Sequence, residues 1–426
     1  MKFLLCLPAL KSGRSSRPPS LKSPQSDFSE STDKYTYSFH RDEQLPAEQP
    51  QTHQSVLLLR EPRRKYELDY KYPVPVTTGG RELLIRVHAV GLNPVDWKSP
   101  DFNFGIPALP FISGRDFVGT VIQAPATESR IQLGDVVIAV STDYRDLRKA
   151  GFQQFAVASD YNVCRLPRSM KTYEGAPIGV AFVAAALGLG ICFGTDFSRI
   201  ESATRGPDLF KIIRALEASQ LPPDVRRECL DSIRDTERPK PGEWVAVWGG
   251  SSTTGSYVSR LAKLLGFRVI LVVDVGKHGE RLSQRGADLL VDSHNVERAI
   301  DIIRAVTNTK LRFAFDCVGK ETATQLLEAF ETISDPEQDR GHLIALSGLP
   351  KTPKAGVVLH TVPVKVFHEV PALGESLMIW LEKLLEEGYV TPPDITLAAG
   401  GLAGINDALD QMRLGEISGR RLVVEL

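Results

Sequence analysis

Gly249, Gly250, Ser251, Ser252, Thr253, Thr254 and Gly255 form a run of small and hydroxyl-bearing residues directly after an unbroken apolar stretch, Val245-Ala246-Val247-Trp248. Downstream, Tyr257, Val258, Leu261, Leu264 and Leu265 recur at helical spacing until Gly266, and Arg268 to Val273 is a second apolar run that ends at Asp274. The order strand, tight loop, helix, strand, acid is what a dinucleotide needs. Helix N–H groups and the positive end of the helix dipole face the pyrophosphate, and the acid accepts hydrogen bonds from the adenosine ribose. The strict G-x-G-x-x-G is absent because Ser251 to Thr254 replace its middle glycines, and their hydroxyls are donors for phosphate oxygens. Lys277, His278 and Arg281 follow Asp274 closely enough to hold a ribose 2′-phosphate, which the Asp274 carboxylate alone would repel.

These residues need an open parallel sheet to position them. Short apolar runs buried on both faces alternate with helical patterns after Asp274: Gly286 to Asp292, then Val296 to Val306 as a helix, Phe313 to Asp316, and Gly341 to Leu346. Ligands of such sheets sit at strand carboxyl ends. Cys317, Val318, Gly319, Ser347 and Gly348 are therefore expected to line the nicotinamide side, Cys317 as a packing residue because no base is paired with it in sequence. From Ser55 to about residue 171 the pattern differs. Val56 to Leu59, Glu82 to Val87, Phe117 to Gln123, Val136 to Val140 and Gln153 to Ala158 read as short strands separated by Pro- and Gly-bearing turns. That is an antiparallel, barrel-like unit ahead of an α/β unit.

Composition narrows the alternatives. The 426 residues are 42% hydrophobic and 24% charged, with a formal net charge of −1, which gives no support for nucleic-acid or acidic-membrane partners. No uninterrupted apolar run is expected to reach transmembrane length. The five cysteines are scattered, which disfavours a disulfide framework or a structural zinc cluster and points to a reducing compartment. Residues 1–50 are rich in Ser, Pro, Gln and charge and are expected to be a disordered extension. Their basic bias up to Ser26 keeps a mitochondrial transit peptide open beside a cytoplasmic location.

His88-Ala-Val-Gly-Leu-Asn93-Pro94-Val-Asp96-Trp97-Lys98, then Gly114-Arg115-Asp116-Phe-Val-Gly119 and Leu133-Gly134-Asp135-Val-Val, resembles the medium-chain dehydrogenase/reductase superfamily. Within it, Asn93 to Lys98 and Trp248 to Gly255 most resemble fungal trans-acting enoyl reductases and quinone-reductase-like enzymes. The resemblance implies a GroES-like catalytic domain at 51–171 and 366–426 and a Rossmann cofactor domain at 172–365, linked by the helix after Tyr173. It also marks about 193–239 as an insertion, which could cap the cleft, mediate self-association or decorate the surface. Zinc alcohol dehydrogenases bind their catalytic metal through a cysteine, a His-Glu pair and a later Cys or Asp. Here those places carry Asn93-Pro94 and Gly114-Arg115-Asp116, and the four-cysteine lobe is missing. The implied activity is therefore a zinc-independent, NAD(P)H-dependent reduction of an activated C=C bond, NADP(H) being favoured over NAD(H) because the resembled reductases mostly use it. The implied partner is a small molecule, free or carrier-bound, and the implied state a monomer or homodimer. Quinone reduction, and nucleotide binding without catalysis, stand as alternatives. Lys98 is the candidate for steadying an enolate oxygen or relaying a proton. Phe102 and Phe104 offer no hydroxyl where related enzymes carry a tyrosine, and Ala184 replaces a threonine frequent in relatives. Asn93 and Asp96 are expected to order their loop through hydrogen bonds to backbone.

Overall fold

The computed structural model describes residues 51–201, 204–333 and 339–426; the expectations for the N-terminal extension lie outside them. Six short apolar strands form an all-parallel sheet in the spatial order Leu289–Asp292, Arg268–Val273, Trp244–Trp248, Phe313–Asp316, Gly341–Ala345 and Val357–His360. Chain order reverses between Trp244–Trp248 and Phe313–Asp316, and that reversal opens a crevice at their carboxyl ends. Both faces of the sheet are covered. Val245, Val247, Leu271 and Phe315 face the main core, while Ala246, Ile270, Ala314 and Leu343 face a second layer of helices. That double burial is why these strands read as unbroken apolar runs.

The second sheet has seven strands and is antiparallel except at one edge. Its path runs Asp394–Ala398, Arg420–Glu425, Glu82–Gly91, Asp116–Gln123, Val136–Val140 and Val163–Arg165, with Phe155–Ser159 also pairing Glu82–Gly91. The first two strands are parallel and are joined through the helix Gly401–Arg413. A hairpin of His53–Leu58 and Glu67–Pro73 closes over the barrel interior, with bridges from Val56 to Gln153 and Leu59 to Phe111. The barrel therefore takes strands from both ends of the described chain.

Between the sheets runs the apolar segment Thr172–Cys192. By length and composition it could cross a membrane, contrary to the expectation from the sequence, but 94% of its apolar window is buried inside the protein. Ala181, Phe182, Val183, Ala185, Leu187 and Leu189 pack in the largest core cluster. Burying side chains of the Leu or Phe kind contributes about 1.5–3 kcal/mol each, so this segment anchors the interface between the sheets. The insertion joins the same cluster. Leu209, Phe210 and Ile213 on the helix Leu209–Arg214, together with Leu221, Cys229 and Ile233, are buried in it, and Phe197 packs against Trp380 at 4.5 Å between ring centroids. These residues make the insertion part of the core.

Candidate functional site

The loop after Trp248 is built by close contacts. Gly249 has a φ of +79°, and a Cβ there would lie 2.6 Å from Val318 Cγ2; a Cβ on Gly255 would lie 2.5 Å from the Gly249 carbonyl oxygen. Only glycine lets the helix Thr253–Leu264 start this near the strand. Ser252 caps that helix, its Oγ accepting from the Gly255 N–H at 3.0 Å. Across the crevice the Cys317 N–H donates to the Trp248 carbonyl at 2.9 Å. Asp316, fully buried, shapes the next turn by accepting from the N–H groups of Val318 (3.1 Å) and Gly319 (2.9 Å). The sequence reading passed over Asp316, although an acid at the carboxyl end of a buried strand was the available signal. Burial pushes the Cys317 thiol well above its usual range, so it packs rather than attacks.

A cleft of about 340 Å³ lies between the sheets, and it gathers residues that are far apart in sequence. Ser252, Thr253, Thr254 and Cys317 come from the parallel sheet, Lys98 and Trp97 from the helix Pro94–Phe102, and Arg420 and Arg421 from the closing strand of the barrel. Val180 and Ala181 line it from the linking helix. Ala184, one turn further on, is buried in that helix. Lys98 has no hydrogen-bond or ion-pair partner among the described residues, and its Nζ lies 5.6 Å from the centroid of the Trp97 ring. Phe102 and Phe104 are exposed beyond it.

Behind the cleft wall is a buried polar network that sequence reading saw only in part. The Asn93 side chain donates to Asp116 at 2.9 Å and accepts from Arg421 at 2.9 Å, while Arg421 stands 3.5 Å from the same carboxylate. The other Asp116 oxygen accepts from the Val180 N–H at 2.6 Å, capping the linking helix. Asp96 accepts from the Asn93 N–H (2.7 Å), Ser113 Oγ (2.9 Å) and the Gly114 N–H (3.3 Å). Burial pushes the Asp116 carboxyl up to about 6, against the pull of Arg421 and Asn93. Arg115 lies over the Tyr144 ring at 3.8 Å. Arg421 went unnoticed because an Arg-Arg pair before a terminal strand looks like a solvated end. Four consecutive residues of that strand, Arg421 to Val424, are buried, so no alternation in the sequence marks Arg421.

Two family models match the chain: residues 79–168 fit the alcohol dehydrogenase GroES-like domain, and residues 253–332 fit the zinc-binding dehydrogenase. A trans-enoyl reductase of Botryotinia fuckeliana, BOA5, is 26% identical over 383 residues, covering 84% of this chain and 96% of its own. An alcohol dehydrogenase superfamily protein from Novosphingobium aromaticivorans has the same fold at a TM-score of 0.67 and 17% identity, covering 88% of this chain and 99% of its own. So does a mycobacterial protein, Rv1454c, whose structure is complexed with NADPH, at a TM-score of 0.62 and 18% identity, covering 88% of this chain and 100% of its own. The chain belongs to the medium-chain dehydrogenase/reductase superfamily.

For a member of this superfamily the departures are informative. A catalytic zinc needs three protein ligands and an open position. Here Asn93 and Asp116 are bonded to each other and to Arg421, and Arg115 presents a guanidinium, so the donor set does not fit the metal. A dinucleotide does fit: the glycine-tight loop, the capped helix start and two arginines converge on one cleft. Asp274 caps the helix Val275–Gln284, accepting from the Lys277 N–H at 3.0 Å, with Lys277 Nζ 3.2 Å from its other oxygen. The expected 2′-phosphate cradle is only partly assembled. Lys277 is exposed, but His278 is buried and meets Ser418 Oγ at 3.0 Å, and Arg281 pairs with Asp394 and donates to the Gly419 carbonyl. The reason is helical phase, which turns positions 278 and 281 toward the barrel, where they latch the sheets together. Ser347 and Gly348 stand apart from this cleft. They are exposed, Gly348 lies beside Lys320, and neither lines the cleft.

Proposed function

We propose that this enzyme reduces an activated C=C bond, in an enone or an enoyl thioester that is free or carrier-bound, using NADPH in preference to NADH and no zinc in the cleft. One observation carries the reading: Lys98, an ammonium with no hydrogen-bond or ion-pair partner among the described residues, lines the same cleft as the helix-start loop Ser252–Thr254, and the zinc-ligand positions there are committed to one another. Ser252, Thr253 and Thr254 would hold the pyrophosphate, Arg420 would neutralise it, and Asp274 with Lys277 would take the adenosine ribose and its 2′-phosphate. The bound nicotinamide supplies the hydride. Lys98 stabilises the negative charge that develops on the carbonyl oxygen when the β-carbon is reduced. Asn93, Asp116 and Arg421 fix the helix start and the barrel strand that carry these groups, and Trp97 excludes water from the Lys98 side. NADPH rather than NADH is supported by Lys277, which offsets the Asp274 charge, and by the like-folded Rv1454c, whose structure is complexed with NADPH.

The test follows loss of reduced-nicotinamide absorbance with NADPH or NADH and a panel of enoyl thioesters, enones and quinones. NADPH oxidation with an enoyl thioester or enone is expected. Turnover confined to quinones, or tighter binding of NADH, overturns the substrate or the cofactor part respectively. Failure of both cofactors to bind overturns the whole reading.

A further inference from the structure

On the far side of the parallel sheet edge, away from the cleft residues, three donors of different chemistry converge. Cys192 Sγ, a Glu228 carboxylate oxygen and a ring nitrogen of His360 all lie within 4.8 Å of one another. Cys192 ends the linking helix in a π-helical turn, Glu228 sits on the insertion helix Arg226–Leu230, and His360 ends the last parallel strand. Cys192 and His360 are fully buried, and Glu228 retains 17% side-chain exposure. Cys229, next to Glu228, is buried too.

The hydrogen bonds behind these donors do not close on their own. His360 Nδ1 meets Glu228 Oε1 at 2.6 Å, His360 Nε2 meets His342 Nδ1 at 2.9 Å, and His342 Nε2 faces Glu237 Oε2 at 3.7 Å. Two neutral imidazoles in series have one polarity, each donating through one nitrogen and accepting through the other. A carboxylate stands at each end, so either direction of the protons sets a bare nitrogen against an acceptor. In the direction that satisfies Glu228, the bare atom is His342 Nε2, a buried nitrogen with no hydrogen-bond partner among the described residues. Arg340 already binds Glu237 through two contacts of 2.7 Å, so the missing positive charge belongs at the Glu228 end.

We propose that Cys192, Glu228 and His360 bind a divalent transition-metal ion, zinc by its preference for mixed sulfur, nitrogen and oxygen donors in tetrahedral geometry. Ligation through Nδ1 places the His360 proton on Nε2, which donates to His342 Nδ1, and the His342 Nε2–H then points at Glu237. The chain becomes the carboxylate–histidine support that metal-bound imidazoles generally carry. The thiol proton of Cys192 leaves to solvent, and no electron is transferred. The ion would tie the insertion to the linking helix and the sheet edge, distinct from any role in the cleft.

The probe is the metal alone. Purified protein is analysed for zinc, stripped with a chelator, and titrated with Co²⁺ while the near-ultraviolet thiolate-to-cobalt band and the visible tetrahedral bands are followed. About one ion per chain is expected, with the thiolate band lost in Cys192→Ser and Co²⁺ affinity reduced about 10–100-fold in His342→Ala. Wild-type protein that binds no Co²⁺, or binds it without a thiolate band, overturns the proposal whatever the variants do. A thiolate band persisting in folded Cys192→Ser also overturns it. If Cys192→Ser does not fold, Glu228→Gln is titrated instead: weaker Co²⁺ binding is expected, and unchanged affinity overturns the proposal. None of these readouts depends on turnover, so they stand apart from the reductase reading.

Discussion

At the scale of single residues, the cleft separates a group that acts from groups that hold. Lys98 has no hydrogen-bond or ion-pair partner among the described residues and is the proposed acting group; Lys98→Met should lower kcat/KM for the enoyl substrate about 10²-fold, within the range of a lost oxyanion donor. Cofactor affinity, read by fluorescence titration, should stay nearly unchanged, and an equal loss in both would make Lys98 a cofactor ligand instead. Asp116 holds. Its carboxyl is raised from 3.8 to about 6, so the native state binds the extra proton. Its contribution to stability is full below about pH 3.8 and is lost as pH rises through about 6. Denaturant unfolding across that window should show wild type losing up to about 3 kcal/mol relative to Asp116→Asn, and parallel pH profiles would refute the shift.

Among the elements, the helix Val275–Gln284 does two jobs with two faces. Lys277 stands with Asp274 on the face proposed to take the ribose, while His278 and Arg281 grip Ser418, Gly419 and Asp394. Lys277→Ala should therefore weaken NADPH about 5–10-fold, the order of one charge-assisted contact, and leave NADH unaffected. Arg281→Ala should weaken both cofactors alike, because it loosens the latch. An NADPH-specific loss in Arg281→Ala, measured by parallel titrations, would restore the phosphate role that sequence spacing suggested. The parallel sheet was legible because strands buried on both faces must be apolar throughout. Glu67–Pro73 and Asp394–Ala398 were not, since both are half-exposed and carry no apolar run. The loop at Gly249 was legible because glycine leaves a mark wherever backbone crowds backbone. Arg421 was not, since its meaning depends on a contact 328 positions away. Helical phase relative to a distant sheet is likewise invisible in spacing alone, so the contacts of His278 and Arg281 with the barrel could not be read from it.

For the molecule as a whole, the insertion is core rather than appendage. Ile213 is fully buried against the linking helix cluster, so Ile213→Ala should cost about 2–4 kcal/mol in denaturant melts. Turnover of the folded fraction should be unchanged, because none of the residues lining the cleft belongs to the insertion. A stability change near zero would return the segment to the surface. The barrel's use of strands from distant parts of the chain has a further consequence for how the protein is made. Arg420–Glu425 sits between Asp394–Ala398 and the Ala89–Gly91 end of Glu82–Gly91, so a nascent polypeptide emerging from the ribosome displays that short edge long before its neighbour is synthesised. The parallel sheet has no such wait, as its six strands lie between Trp244 and His360. Vectorial synthesis therefore favours a cofactor half that is assembled first and a substrate half completed last. During that interval the unpaired edge is the part of the chain most in need of a chaperone.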